Sequence, residues 1–353
     1  MKRIKIGQIG IGHNHANEKM LAVRRFPELF EVIGYAEKNE DWISVRGDWA
    51  CYQNLPRLSE EEIIRRSDAV LVETDVWDLT ATAQRCLDAG KHIHMDKPAS
   101  GTLEEHRHML KTAEDNGLVV QLGYMYRYNP AVRQCLDWIK EGRLGEIYSI
   151  NAEMSTFHSK EYKEWLTNFQ GGIQYILGSH LIDLAVYILG KPQRTVSFLK
   201  HTGLDGVDLA DNNLTVLEYE KAIARIFVSS VEVNGWGRRQ LVVSGSKGTM
   251  SILPIERDLT VTWSDTDIAT NAYLDQKIPL HFEDNSAYGR YDDMICDFHA
   301  YILGEKENPF SYAHDLLVHQ VIDEAVGGIR FYGKDPHCAK NTLKPQVRPE
   351  TLP

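Results

Sequence analysis

The stretch Lys2-Arg3-Ile4-Lys5-Ile6-Gly7-Gln8-Ile9-Gly10-Ile11-Gly12-His13-Asn14-His15 decides how the chain is read. Lys2 to Ile9 has the composition of a strand. Gly10-Ile11-Gly12 follows, and from Asn14 to Phe26 the apolar residues Met20, Leu21 and Val23 recur at helical spacing. A strand that passes through glycines into a helix lets the backbone turn tightly and brings amide groups to the helix N-terminus, where a pyrophosphate is favoured. Gly10, Ile11, Gly12, His13 and Asn14 are therefore the expected cofactor loop. The third small residue of the usual GxGxxG pattern is replaced by His15, with Ala16 next.

Outward from this loop the strand–helix rhythm continues. Strands are expected at Phe30 to Ala36, Ala69 to Glu73, His92 to Met95 and Leu118 to Leu122. Helices are expected at Ser59 to Arg66, Trp77 to Ala89, and from Thr102 to near Gly117. Ser59 with Glu62, and Thr102 with Glu105, form two capping boxes, and Gly90 suits a helix C-cap. Short apolar strands alternating with helices imply an α/β doubly wound (Rossmann) domain, residues 1–123, with a parallel sheet covered on both faces. Beyond Gly123 the rhythm changes. Helices at Pro130 to Lys140 and Gly178 to Leu189, a strand at Ile147 to Thr156, and a run of strands from Arg194 to Trp263 precede helices at Tyr291 to Leu303 and Tyr312 to Ile329. This pattern reads as an α+β C-terminal domain, residues 124–353, with a large, mostly antiparallel open sheet.

Composition narrows the function. The 353 residues carry a formal charge of −11, which gives no general attraction for nucleic-acid phosphates. No apolar run spans a membrane, and the charged N-terminus is too short for a signal peptide. Cys51, Cys86, Cys135, Cys296 and Cys338 are scattered without a CxxC, so neither a disulfide framework nor a structural zinc site is expected, and a reducing cytoplasm fits.

Glu37 closes the second strand, twenty-five positions after Gly12. A carboxylate there accepts bonds from ribose hydroxyls and repels a 2′-phosphate, which favours NAD; the adjacent Lys38 keeps NADP open. His13 and His15 read as loop histidines near a phosphate; as metal ligands they would need a third partner, and none is near in sequence. Met95-Asp96-Lys97-Pro98 follows the fourth strand, where the carboxyl ends of the strands face the ligand crevice. There Lys97 can shuttle a carbinol proton while hydride leaves the neighbouring carbon, and Asp96 can orient the lysine or meet the nicotinamide ribose.

At this point the chain resembles the glucose–fructose oxidoreductase, inositol dehydrogenase and rhizopine-catabolism (Gfo/Idh/MocA) family. The resemblance runs through Gly7-Gln-Ile-Gly-Ile-Gly, Ala89-Gly-Lys-His-Ile-His-Met-Asp-Lys-Pro, Gly123-Tyr-Met-Tyr-Arg-Tyr-Asn-Pro, Gly142-Arg-Leu-Gly-Glu-Ile, Gly171-Gly-Ile-Gln-Tyr-Ile-Leu-Gly-Ser-His-Leu-Ile-Asp and Asp297-Phe-His-Ala-Tyr-Ile. It implies Lys97 as the catalytic or substrate-orienting lysine and a C-terminal sheet used for a homodimer or homotetramer. The family's aspartate, one helical turn before the histidine His180, is Ile176 here. His180 stays the expected base or sugar ligand, with Asp183 beside it either orienting it or facing solvent. Thr74, Asp75 and Trp77, at the exit of the third strand, are expected around the cofactor, and Tyr126, Trp165 and Tyr175 around the substrate. Tyr162 and Trp165 either stack on a sugar or pack in the core. Arg127 either reaches the cofactor or substrate, or forms a structural ion pair.

The leading expectation is NAD-linked oxidation of a secondary hydroxyl on a sugar, cyclitol or glycoside. Two others stand beside it: a glycoside-cleaving enzyme that oxidises C3 transiently, and a non-catalytic dinucleotide sensor.

Overall fold

The structure, a computed structural model, describes residues 2–256, 259–282 and 291–332. Cys338 and the proline-rich tail lie outside the described residues. The first half runs β1 (Ile4–Ile9), α1 (Ala16–Arg24), β2 (Phe30–Ala36), α2 (Glu40–Arg46), α3 (Glu60–Arg66), β3 (Ala69–Val72), α4 (Leu79–Asp88), β4 (His92–Met95), α5 (Leu103–Asp115) and β5 (Val120–Leu122). Its five strands are parallel in the order β2-β1-β3-β4-β5. The doubly wound reading therefore holds. Every side chain of β3 is buried, as a strand covered on both faces requires. Both expected capping boxes form: Ser59 and Glu62 exchange bonds at the start of α3, and Thr102 and Glu105 at the start of α5.

The second half runs α6 (Pro130–Lys140), β6 (Ile147–Glu153), α7 (Lys160–Leu166), α8 (Ser179–Leu189), β7 (Arg194–Lys200), β8 (Asn212–Glu218), β9 (Ile223–Ser229), β10 (Gln240–Gly245), β11 (Gly248–Ile252), β12 (Val261–Asp265), β13 (Ile278–Leu280), α9 (Asp292–Leu303) and α10 (Tyr312–Val326). These strands form one eight-stranded sheet, β13-β12-β11-β10-β6-β9-β8-β7, antiparallel except where β6 meets β9. In β8 and β10 buried residues alternate with half-buried ones, so one face packs inward and the other lies open. Helix α8 packs on the covered face against β6 and β9.

Several contacts join the halves, among them the packing of α10 on α5. Helix α9 returns to pack on α1, where Arg25 pairs with Asp292 and the His299 ring bonds the Lys2 carbonyl. The turn ahead of α8, Gln174–Gly178, is a π-helix whose Tyr175 hydroxyl donates to the Ala99 carbonyl, 2.8 Å away in the first half. Among the described residues no helix is long and apolar enough to cross a membrane.

Candidate active site

Gly10 leaves β1 with φ of +88°, and a Cβ there would fall 2.4 Å from the Thr74 backbone nitrogen, so only glycine fits this crossing. The Glu37 carboxylate reaches back from the end of β2. One oxygen accepts from Ile11 N at 2.9 Å and the other from Asn39 N at 2.8 Å. Burial raises its pKa, while those amides pull it down. Glu37 thus ties the glycine loop to β2 and stays where a ribose would meet it.

The space over Gly12 is taken by two side chains of α2. The Trp42 indole donates to Asp75 at 3.1 Å, and a Cβ on Gly12 would fall 2.6 Å from its Nε1. The buried Arg46 guanidinium donates to the carbonyls of Ile11 at 2.7 Å and His13 at 2.5 Å and lies over the Trp42 ring. Asp75, half-buried beneath the indole, has its pKa raised to about 6, chiefly by desolvation. From the other half, Tyr162 and Trp165 on α7 close the crevice over Gly12, His13 and Asn14, leaving a cavity of about 10 Å³, room for about one water. The loop glycines and Glu37 fit a dinucleotide; Trp42 and Arg46 must turn aside to admit it. Asp75 lines the crevice and is engaged by Trp42, whereas Thr74 presents its backbone to Gly10 and does not line it. Trp77 stacks on Phe169, 6.0 Å between centroids, within the aromatic packing between the halves.

Lys97 leaves β4 into the interior, 2 % exposed, and its ammonium donates to the Ile176 carbonyl at 2.8 Å. The Ser179 hydroxyl donates to the same oxygen. The residue that lacks the family's carboxylate therefore still meets the lysine, through its main chain. The π-turn makes this possible, because it disturbs the i→i−4 ladder that would otherwise use such a carbonyl. His180 begins α8 one turn later, buried between the rings of Tyr124 and Tyr126 at centroid distances of 5.9 and 5.2 Å.

Several expectations need correcting. Asp183 does not orient His180. It forms a two-pronged pair with Arg127 at 2.9 and 2.6 Å and accepts from His314 at 2.9 Å. Arg127 also donates to Asp315 at 2.6 Å, so the guanidinium is spent on a buried ion cluster and does not reach the crevice. Tyr175 spends its hydroxyl on Ala99 and its ring on Phe169. Tyr126 donates to Glu256 at 2.6 Å, and Glu256 also pairs with Arg239 at 2.5 Å. Trp165 does line the crevice.

Sequence reasoning named His13, His15 and Asp96 separately and missed that they form one group with Lys19 behind the loop. Asp96, fully buried, holds Lys97 N at 2.7 Å and faces the imidazoles of both His13 and His15. Lys19 enters from α1, 3.2 Å from Asp96 and 2.6 Å from His94. Gly123 makes room for this group, since a Cβ there would fall 2.9 Å from the Lys19 ammonium. Burial opposes the charge on Asp96, but His13, Lys19 and His15 outweigh it and hold the carboxyl well below its ordinary range. Trp42 and Arg46 were also missed, and they belong to a seven-residue helix of about two turns, which carries little periodicity.

Residues 4–124 match the NAD-binding Rossmann-fold domain of the GFO/IDH/MocA oxidoreductases, and residues 132–251 match the family's C-terminal domain. The chain is 25% identical over 149 residues to the Bacillus subtilis scyllo-inositol 2-dehydrogenase (NADP+) IolW, spanning 41% of each. It is 33% identical over 116 residues to the Escherichia coli D-glucoside 3-dehydrogenase, spanning 30% of this chain and 31% of that one. The solved UDP-N-acetylglucosamine 3-dehydrogenase GnnA of Acidithiobacillus ferrooxidans superposes with a TM-score of 0.74 at 16% identity, covering 92% of this chain and 97% of that one.

Proposed function

The chain belongs to the GFO/IDH/MocA family of NAD(P)-binding oxidoreductases, and from that premise we propose that it oxidises a secondary hydroxyl of a sugar, cyclitol or glycoside. The observation that carries this reading is Lys97 at the carboxyl end of β4, buried and aimed by the Ile176 carbonyl beside the turn that starts His180. A bound nicotinamide dinucleotide, held at Gly10, Gly12 and Glu37, would supply the hydride acceptor. Lys97 takes the carbinol proton, and His180 binds a neighbouring hydroxyl or relays that proton. The Ile176 carbonyl orients the amine by accepting its hydrogen bond and is not itself a titratable base. Tyr162 and Trp165 hold the apolar face of the sugar and keep water out. We extend the proposal to NAD over NADP, because Glu37 would meet the ribose edge and repel a 2′-phosphate, and to a cytoplasmic homodimer or homotetramer assembled through the open sheet face.

The test is a panel of sugars, cyclitols and glycosides with NAD or NADP, followed by absorbance of the reduced cofactor. A substrate-dependent rise supports the reading. Release of aglycone without net cofactor reduction would move the assignment to transient C3 oxidation. Cofactor binding with no turnover on the panel would leave a sensor.

A further inference from the structure

Three arginines are buried among the described residues, Arg46, Arg127 and Arg239. Two of them meet carboxylates: Arg127 pairs with Asp183 and Asp315, and Arg239 with Glu256. Arg46, 2 % exposed, does not. Its Nη1 donates to the carbonyls of Ile11 at 2.7 Å and His13 at 2.5 Å, and its Nη2 lies 3.4 Å from the Asn14 amide oxygen. None of these partners is charged. The two acids whose charge reaches it, Asp75 and Glu37, are engaged elsewhere, Asp75 by the Trp42 indole and Glu37 by the amides of Ile11 and Asn39.

The guanidinium also keeps donors in reserve. Its Nε is buried without a hydrogen-bond partner. Nε and Nη2 form one edge of the group, the edge with which Arg127 grips both oxygens of Asp183. On Arg46 that edge holds only the long contact to Asn14, so a two-pronged donor for a pair of anionic oxygens is unused. Burying a cation without an anion is unfavourable, and here neutral groups offset it in part. The Trp42 and Trp49 rings lie 4.6 and 5.2 Å from the guanidinium carbon, at cation–π distance. Burial lowers the Arg46 pKa to about 10, so it stays charged at neutral pH. Its place completes the case. Ile11, His13 and Asn14 belong to the glycine loop, and Gly12, His13 and Asn14 line the crevice. The unpaired cation is thus moored to the loop on which a pyrophosphate would rest.

We propose that Arg46 binds the pyrophosphate of the cofactor, offering its Nε–Nη2 edge to phosphate oxygens. This rests on the cofactor reading above and adds to it a ligand from outside the glycine loop. Bonds to charged oxygens are stronger than bonds to carbonyls, so phosphate draws the guanidinium off Ile11 and His13. That movement takes it from the face of Trp42, and phosphate binding is thereby coupled to opening of the crevice. The pyrophosphate is the partner assigned, not a 2′-phosphate, because Arg46 is held by the glycine loop and Glu37 would repel a phosphate at the ribose edge.

The experiment compares the full-length wild type with Arg46→Met and Arg46→Lys. Calorimetry measures NAD, NADP and ADP, and ligand-observed NMR measures adenosine, which has no phosphate. Circular dichroism establishes that the variants fold. Arg46→Met should weaken NAD and ADP by roughly tenfold or more, the size of one charge-assisted bond, and leave adenosine unchanged. Arg46→Lys keeps the charge without the two-pronged edge and should fall between. An arginine that only ties α2 to the loop would weaken all four ligands alike. Should Arg46→Met fail to fold, ADP against adenosine in Arg46→Lys decides. Equal weakening of ADP and adenosine, or unchanged NAD affinity, would overturn the proposal alone. So would a loss confined to NADP, which would place Arg46 at a 2′-phosphate. A wild-type chain that binds neither dinucleotide would overturn it together with the cofactor reading.

Discussion

Replacing Trp42 with phenylalanine should tighten cofactor binding. The indole lies against Gly12 and donates to Asp75 at 3.1 Å, and the crevice it closes has only about 10 Å³ of open volume. A dinucleotide resting on Gly12 must first displace it. A hydrogen bond to a charged group contributes about 1.5–3 kcal/mol. Trp42→Phe removes that bond and keeps an aromatic ring beside Arg46. If the whole bond opposes opening, the apparent Kd for NAD falls by roughly 10- to 150-fold, since each 1.4 kcal/mol is about tenfold and the competent fraction scales affinity directly. Asp75 sets the pH dependence. With its pKa raised to about 6 by burial, it is mainly ionised at pH 7 and mainly neutral at pH 5. The gap between wild type and variant should therefore narrow as pH falls through 6. Calorimetry with NAD at both pH values measures this. A folded Trp42→Phe protein with unchanged or weaker affinity at pH 7 would refute the reasoning, because Trp42 would then form part of the binding surface.

Three other outcomes are expected. Lys97→Met should lower kcat by about 10²- to 10⁴-fold, the usual contribution of a positioned proton-transfer group, with cofactor Kd little changed; steady-state rates and calorimetry check the two halves. Arg127→Met should destabilise the fold by about 3–5 kcal/mol in a denaturant titration, because it leaves the buried Asp183 and Asp315 carboxylates uncompensated. His158, stacked on Tyr162, is held by burial at about 3 against an ordinary 6.5. The unfolded chain binds its proton first, so stability is lost as pH falls from 6.5 toward 3. His158→Gln should remove up to about 1.4 kcal/mol of that loss per pH unit, seen as a flatter dependence of the unfolding free energy between pH 6.5 and 5.

The parts of the fold legible in the sequence are those decided locally. The Ser59–Glu62 and Thr102–Glu105 boxes, the α6 start at Pro130 and the apolar run of β3 depend on neighbours a few residues away, and each forms where its signal lies. Helices α2 and α7 have seven residues each, too few to show a periodicity. They carry Trp42, Arg46, Tyr162 and Trp165, the four side chains that narrow the crevice. Asp183 fails as a partner for His180 for another reason. Three residues along a helix brings two side chains near one face, but Arg127 and His314, distant in sequence, reach that carboxylate with charge-assisted bonds.

Ile176 shows why the candidate site was only half legible. A residue type reports what its side chain can donate or accept, and isoleucine reports nothing. The main chain, however, carries one acceptor at every position whatever the side chain is. In a regular α-helix that acceptor is committed to the amide four residues on. The π-turn from Gln174 to Gly178 lengthens the ladder locally and turns the Ile176 carbonyl to the Lys97 ammonium. At position 176 the lysine therefore meets a neutral dipole where the family places a carboxylate. A carboxylate would hold the lysine in its charged form; a carbonyl orients it with much less electrostatic cost to losing the proton. Restoring the acid therefore need not restore a better enzyme. Ile176→Asp adds a negative charge beside an amine whose geometry is already set, and it stabilises the protonated form that cannot accept a carbinol proton. The expected result is a higher pH optimum for oxidation with no gain in the maximal rate, read from kcat–pH profiles of the two proteins. A rate increase at unchanged pH optimum would show that the Ile176 carbonyl is a poor substitute for the acid.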